Sequence, residues 1–175
     1  MSDTQWPRYE VFKQDNERKV HEAVGSVHAP DLEMALLAAR NVFVRRPSAV
    51  SLWVAPATAI LSRTAEELAV DPPVVSEEMG ERQTFLLFTK TSQRRSMTFV
   101  RFVGEVVADT AVSALALAYH DPAFEPEGVF VWWVVPNTAV VRSDDEDIES
   151  MFAPAKDKTY RQQSAYGFIS PRRKK

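Results

Sequence analysis

Four stretches from the first half of the chain recur, in the same order, in the second half. Tyr9-Glu10-Val11-Phe12 returns as Phe85-Leu86-Leu87-Phe88, and Val24-Gly25-Ser26-Val27 as Val103-Gly104-Glu105-Val106. Ala35-Leu36 returns as Ala114-Leu115, and Trp53-Val54-Ala55-Pro56-Ala57-Thr58-Ala59 as Trp133-Val134-Val135-Pro136-Asn137-Thr138-Ala139. The offsets are 76, 79, 79 and 80 residues, so the drift is small and falls between elements. A single match of this kind is noise; four in order are the signature of a tandem duplication. Whatever one copy folds into, the other must fold into as well.

Each copy reads as strand, strand, helix, strand. In the first, Tyr9–Phe12 is a short run of strand formers, Asp15-Asn16-Glu17-Arg18 supplies turn chemistry, and His21–His28 returns as the second strand of a hairpin. Asp31 is placed to cap a helix whose stripe is Leu32, Leu36, Ala39 and Phe43, and Pro47 stops it. Val50–Val54 is a third strand ended by Pro56. In the second copy, Thr84–Lys90 and Met97–Val107 form a longer hairpin around Gln93-Arg94-Arg95. Thr110 takes the capping slot, Val112, Leu115 and Tyr119 share a helix face, and Pro122 ends that helix. Val129–Val135, almost continuously apolar, reads as a central strand. Gly25 and Gly104 stand at matching points of the second strands, where a bulge or a close backbone approach calls for glycine.

Capping-box patterns follow each Trp-Val-X-Pro strand, Thr64 with Glu67 and Ser143 with Glu146, and each predicts a short acidic helix or turn. The expected organisation is a first module over 1–70, a proline- and charge-rich linker over 71–81, a second module over 82–150 and a tail over 151–175. The expected fold class is α+β: two tandem ββαβ modules, each a small curled sheet on one helix, arranged as a pseudo-dimer. A ubiquitin-like roll and a ferredoxin-like sandwich both fit this element order. The aperiodic tail carries Phe152, Tyr160, Tyr166 and Phe168, more aromatic groups than a solvated tail needs, so it is expected to lie against its own domain or a partner.

The chemistry of the chain is sparse. No cysteine is present, which removes disulfides, thiolate metal sites and cysteine nucleophiles. The three histidines, His21, His28 and His120, have no carboxylate or second histidine at a ligand spacing, and His21 and His28 read as ordinary strand residues. Gly-x-Ser-x-Gly is absent, and five glycines build no phosphate-cradling loop. Asp144-Asp145-Glu146-Asp147 lacks the glycine and alternate spacing of a calcium loop and reads as a solvated helix start. A net charge of −3 speaks against nucleic acid as a partner. No apolar run reaches the ~20 residues that span a bilayer, and the first residues lack the pattern of a signal peptide; the cytoplasm is the expected location, with no membrane partner. No catalytic, cofactor-binding or metal-binding residue is expected. Trp53, Pro56, Trp133 and Pro136 are paired strand positions with a structural role. Trp6, ahead of Pro7, is harder for its own module to bury and is the better interface anchor.

The residues of copy one and of the tail carry a family resemblance. Trp6-Pro7, Tyr9-Glu10-Val11-Phe12, Gly25-Ser26, His28-Ala29, Asp31, Glu33-Met34-Ala35-Leu36, Ala39-Arg40, Arg45-Arg46, Ser51, Trp53-Val54, Pro56 and Ile60 are followed by Phe152, Pro154-Ala155, Asp157-Lys158 and Tyr160-Arg161. In these the chain resembles the phenylacetate-degradation protein B (PaaB) family, the small non-catalytic subunit of the multicomponent ring-1,2-phenylacetyl-CoA epoxidase. Copy two keeps the Trp-Val-X-Pro strand but has Ser113 where Met34 stands and Tyr119 where Arg40 stands. Family members are typically single modules of roughly half this length, and the resemblance therefore carries the expectation that one chain replaces a pair of identical subunits.

The resemblance implies an accessory role in a bacterial complex of aerobic phenylacetate degradation. The family's catalytic subunit holds the di-iron site, and the B protein organises the helical catalytic and structural subunits without cofactors of its own. Those subunits are the expected partners, with self-association as a further option. The surface expected to meet them runs from Trp6 and Tyr9 to Phe12, takes in Arg45 and Arg46, and continues into Phe152, Pro154, Asp157, Lys158, Tyr160 and Arg161. Two rival readings are a stand-alone aromatic acyl-CoA-binding regulator, which ligand would stabilise by mass action, and a small CoA-thioester hydrolase, which needs His28 or His120 against a carboxylate.

Overall fold

A computed structural model of the chain describes residues 6–44, 49–75, 80–92, 100–124, 128–144, 146 and 149–153. Strands β1 (Arg8–Gln14) and β2 (Glu22–His28) form the first hairpin, helix α1 (Leu32–Phe43) follows, and β3 (Ser51–Pro56) pairs with β1. A 3-10 turn at Ala57–Ala59 leads into β4 (Leu61–Thr64) and helix α2 (Ala65–Val70). The second copy gives β5 (Gln83–Lys90), β6 (Arg101–Ala108), α3 (Ala111–His120), β7 (Val131–Pro136), a 3-10 turn at Asn137–Ala139 and β8 (Val141–Arg142). A short helix at 149–153 closes the described chain.

The caps form where the sequence puts them. Asp31 accepts from the Met34 amide at 2.8 Å, Thr110 accepts from the Ser113 amide at 3.1 Å, and Thr64 and Glu67 complete a reciprocal capping box. Ser143 differs: its hydroxyl accepts from the Leu52 amide at 3.0 Å; Glu146 is in a turn, and the described helical residues after it are 149–153. Helix α3 differs as well. Val112 is exposed, whereas Ser113, Ala114, Leu115, Ala116 and Ala118 are buried, so this helix is enclosed on more than one side and shows no single apolar stripe.

The two expected small curled sheets are in fact one eight-stranded antiparallel sheet, in the order β4-β7-β5-β6-β2-β1-β3-β8. Each copy contributes a fourth strand that the expected ββαβ module lacks, and that strand leaves for the other copy: β4 pairs with β7 and β8 with β3. Neither copy closes into a roll of its own. Replacing every strand by its counterpart reverses the order and leaves it unchanged, which is the mark of a pseudo-two-fold.

The short link between β3 and β4 fixes how the halves sit. Strands β3 and β4 are six positions apart in the sheet, about 29 Å if it were flat, but the four residues linking Pro56 to Leu61 span at most ~17 Å. The halves of the sheet therefore face one another. The ring contacts agree: Phe12 on β1 and Phe88 on β5 stack with centroids 4.2 Å apart, although two strands lie between them in the sheet.

Three cores follow from this arrangement. The middle one joins Phe12, Ala23 and Ala55 of copy one to Leu86, Phe88, Val131, Trp133 and Val135 of copy two. An outer core lies under α1 and takes in Met151 and Phe152, and the other lies under α3 and takes in Leu68 of α2. The caps are thus exchanged along with the strands, and Arg40 Nε on α1 donates to the Met151 carbonyl at 2.9 Å.

Gly25 (φ +140°) and Gly104 (φ +156°) sit at bulges in the two hairpins, each beneath an aromatic ring. A Cβ at Gly104 would stand 2.9 Å from Phe124 Cε1, in a backbone region that L side chains rarely adopt. Gly104→Ala is expected to cost about 1–3 kcal/mol, read as a lower urea midpoint with unchanged m-value; an unchanged midpoint would refute the strain.

Candidate docking surfaces

Trp6 is held by its backbone, not its ring. The Pro7 carbonyl accepts from the Ala29 amide at 3.2 Å, and the Trp6 carbonyl accepts from His28 Nδ1–H at 2.8 Å. The indole, 62% exposed, stands free beside the end of β2. Its expected neighbours in an interface are placed otherwise. Tyr9 and Phe152 are buried in the core under α1, and Phe12 is fully buried in the middle core. Their side chains hold this chain together. Arg45, Arg46, Pro154, Asp157, Lys158, Tyr160 and Arg161 lie outside the described residues.

Between Tyr9 and Val11, Glu10 is half-buried with Arg8 Nε at 3.2 Å from its carboxylate. Burial raises its pKa, and the Arg8 charge only partly offsets that. On the outer face of α1, Met34 and Leu37 are exposed, while Ser113 and Ala116, their counterparts on α3, are buried. The two copies share a fold but do not present the same surface.

The paired tryptophans are where the exchanged strands attach. Trp133 Nε1 donates to Ser62 Oγ on β4 at 3.0 Å. Trp53 is sandwiched more tightly. The His21 ring stacks on it with centroids 3.5 Å apart, and the Arg142 guanidinium from β8 lies 4.8 Å from its centroid. His21 Nε2 is 3.0 Å from Ser51 Oγ, and Arg142 also bonds Asn137. Burial first, and the Arg142 charge second, bring the His21 pKa down to about 4, so this imidazole is neutral at pH 7. Pro56 and Pro136 end their strands with matching geometry, φ −58° and −59°, just before the two 3-10 turns. Sequence patterns give His21 no role beyond its strand and do not single out Arg142. The signal for a strand there is the β-branched run Val140-Val141 after Asn137-Thr138-Ala139, matching Ile60-Leu61 after Ala57-Thr58-Ala59.

His28 is bonded to the Trp6 carbonyl, and His120, in the last turn of α3, meets the Tyr119 ring edge-on. Among the described residues neither is paired with a carboxylate, and no three His, Asp or Glu side chains gather as metal ligands do. No helix among those residues is long and apolar enough to cross a membrane.

The profile of the family described as phenylacetic acid degradation B matches residues 5–77 and 81–173, two consecutive stretches that fit the tandem form. The B subunit of the 1,2-phenylacetyl-CoA epoxidase of Escherichia coli (strain K12) is 43% identical over 67 residues, 38% of this chain and 70% of that protein. No solved structure matches.

Proposed function

This chain belongs to the phenylacetic acid degradation B family, and we propose that it is the non-catalytic accessory subunit of a bacterial phenylacetyl-CoA oxygenase-type complex. In this reading it organises the helical, di-iron catalytic subunits in aerobic phenylacetate degradation. The observation that carries the reading is the pair of consecutive family matches, which together span almost the whole chain. The E. coli relative is the B subunit of an epoxidase.

The architecture supports the same reading. The two modules, 1–70 and 82–150, are joined by 71–81; each lends its last strand to the other, and α2 and the helix at 149–153 go with those strands. Reciprocal exchange of this kind turns two small modules into one platform, the arrangement a single-module relative would reach by pairing two copies. The exposed Trp6 and the α1 face with Met34 and Leu37 are the surfaces offered to partners, together with the tail beyond residue 153.

Co-expression with the oxygenase's helical subunits tests the proposal. The expected result is co-elution at the mass of an assembly, with substrate turnover by the assembly and none by this chain alone. Elution of the chain by itself, under conditions in which the other subunits assemble, would overturn it.

A further inference from the structure

Strand β6 is interior in the strand order, but its register leaves most of it open. It meets β2 only at Glu22 and Arg101, flanked by the bonds Ala23 N–H to Val100 C=O (2.8 Å) and Phe102 N–H to His21 C=O (2.9 Å). The two strands overlap at their first residues and then run apart. Past Phe102, β6 continues to Ala108 with β5 on one side. Among the described residues nothing pairs with it on the other.

Natural sheets seldom leave such a stretch unguarded, because unpaired N–H and C=O groups recruit another strand. The two ends of this sheet are guarded. β8 is two residues long and carries Arg142, and β4 is four residues long and carries Arg63. The open part of β6 is longer than either, and past the bulge at Gly104 a single charge, Glu105, guards it. Its exposed side chains are Val103 (40%), Glu105 and Val107 (53%). A cleft of about 330 Å³ lies at its start, lined by Val20, Thr89, Val103, Phe124 and Val129 among others.

We infer that β6 is a docking edge, and that an extended segment of one oxygenase subunit adds to it as a strand along Gly104–Ala108, with an apolar side chain in the cleft beside Val103. Main-chain hydrogen bonds would supply the affinity and the cleft the specificity, as in other cases of strand addition. The charge pattern selects the occupant. From Phe102 to Thr110 the charged side chains are Glu105 and Asp109, with no lysine or arginine, and Arg101 just before them is held by Glu22 through two hydrogen bonds of 2.6 and 2.7 Å. A second copy of this chain would bring the same carboxylates into one short ladder, where like charges repel. A segment with lysine or arginine between β-branched residues meets both the acid and the valines. The inference deepens the accessory-subunit reading and rests on it for the source of the segment.

The test uses the full chain and two edge variants, Glu105→Lys and Val107→Lys, both at exposed positions. Four quantities are measured: melting temperature and mass of each chain alone, affinity for the co-expressed oxygenase subunits, and amide exchange with and without them. Unchanged melting and mass, affinity weakened at least ~10-fold, and slowed exchange at residues 104–108 in the assembly support the inference. Variants that assemble like the parent chain, amides that exchange as fast in the assembly as outside it, or a change in the mass of the chain alone would overturn it. If the parent chain does not assemble at all, the accessory reading fails separately. A seven-residue peptide alternating valine with lysine, compared with its glutamate counterpart, then decides the edge. Tighter binding of the lysine peptide that Glu105→Lys abolishes supports it, and equal binding of the two peptides refutes it.

Discussion

Phe12→Ala is expected to destabilise both modules at once, by about 3–5 kcal/mol. Phe12 is fully buried, stacked on Phe88 and edge-on to Trp133, so its ring contacts lie in the other copy. Removing it opens a cavity in the one core to which both halves of the sheet contribute. The loss is a large part of the 5–15 kcal/mol typical of a folded domain. Urea unfolding should shift to a lower midpoint as one transition, and peptide-resolved hydrogen exchange should show β1 and β5 losing protection together. Separate transitions, with β5 and β7 keeping the parent protection, would mean that the modules are independent and that the exchanged strands do not couple them.

That coupling marks the boundary of what was legible in the sequence. Local features were readable because their determinants are local: Asp31, Thr64 and Thr110 cap helices from adjacent residues, and Gly25 and Gly104 betray bulges wherever the strands end up. The duplication was readable because like sequences recur at nearly fixed spacing. The destination of β4 and β8 was not. A four-residue and a two-residue strand carry too little pattern to announce themselves, and nothing local says whether a strand completes its own sheet or its neighbour's. The same holds for the docking surface. Tyr9, Phe12 and Phe152 look like interface aromatics while each module is pictured alone, and become core once the exchange supplies rings and helices to cover them. Trp6 keeps its exposure because its backbone is fixed at the end of β2, and it belongs to none of the three cores.

The clasp on Trp53 makes stability depend on pH with a definite sign. His21 has a pKa of about 4 in the folded chain, against an ordinary value of 6.5. As the pH falls below 6.5 the unfolded chain takes up a proton that the folded chain refuses, so the balance tips toward unfolding. The stabilisation is fully present above pH 6.5, declines by about 1.4 kcal/mol per pH unit and is spent near pH 4. Across that window the loss approaches ~3 kcal/mol, an upper figure because water reaching a charged His21 would soften it. Glu10 acts in the opposite direction at the acid end, since a carboxylate with a raised pKa gains its proton more readily in the folded state. Asp15, held low by Lys13, loses its contribution only below the His21 window. Urea midpoints measured between pH 7 and 4.5 should therefore fall steeply in the parent chain and much less in His21→Gln, whose amide can still reach Ser51 but cannot titrate. Equal slopes in the two proteins would show that His21 is not the group responsible. If His21 is, strand β8 should open first, because protonation sets an imidazolium against the Arg142 guanidinium across the same indole, and Arg142 is half of that two-residue strand.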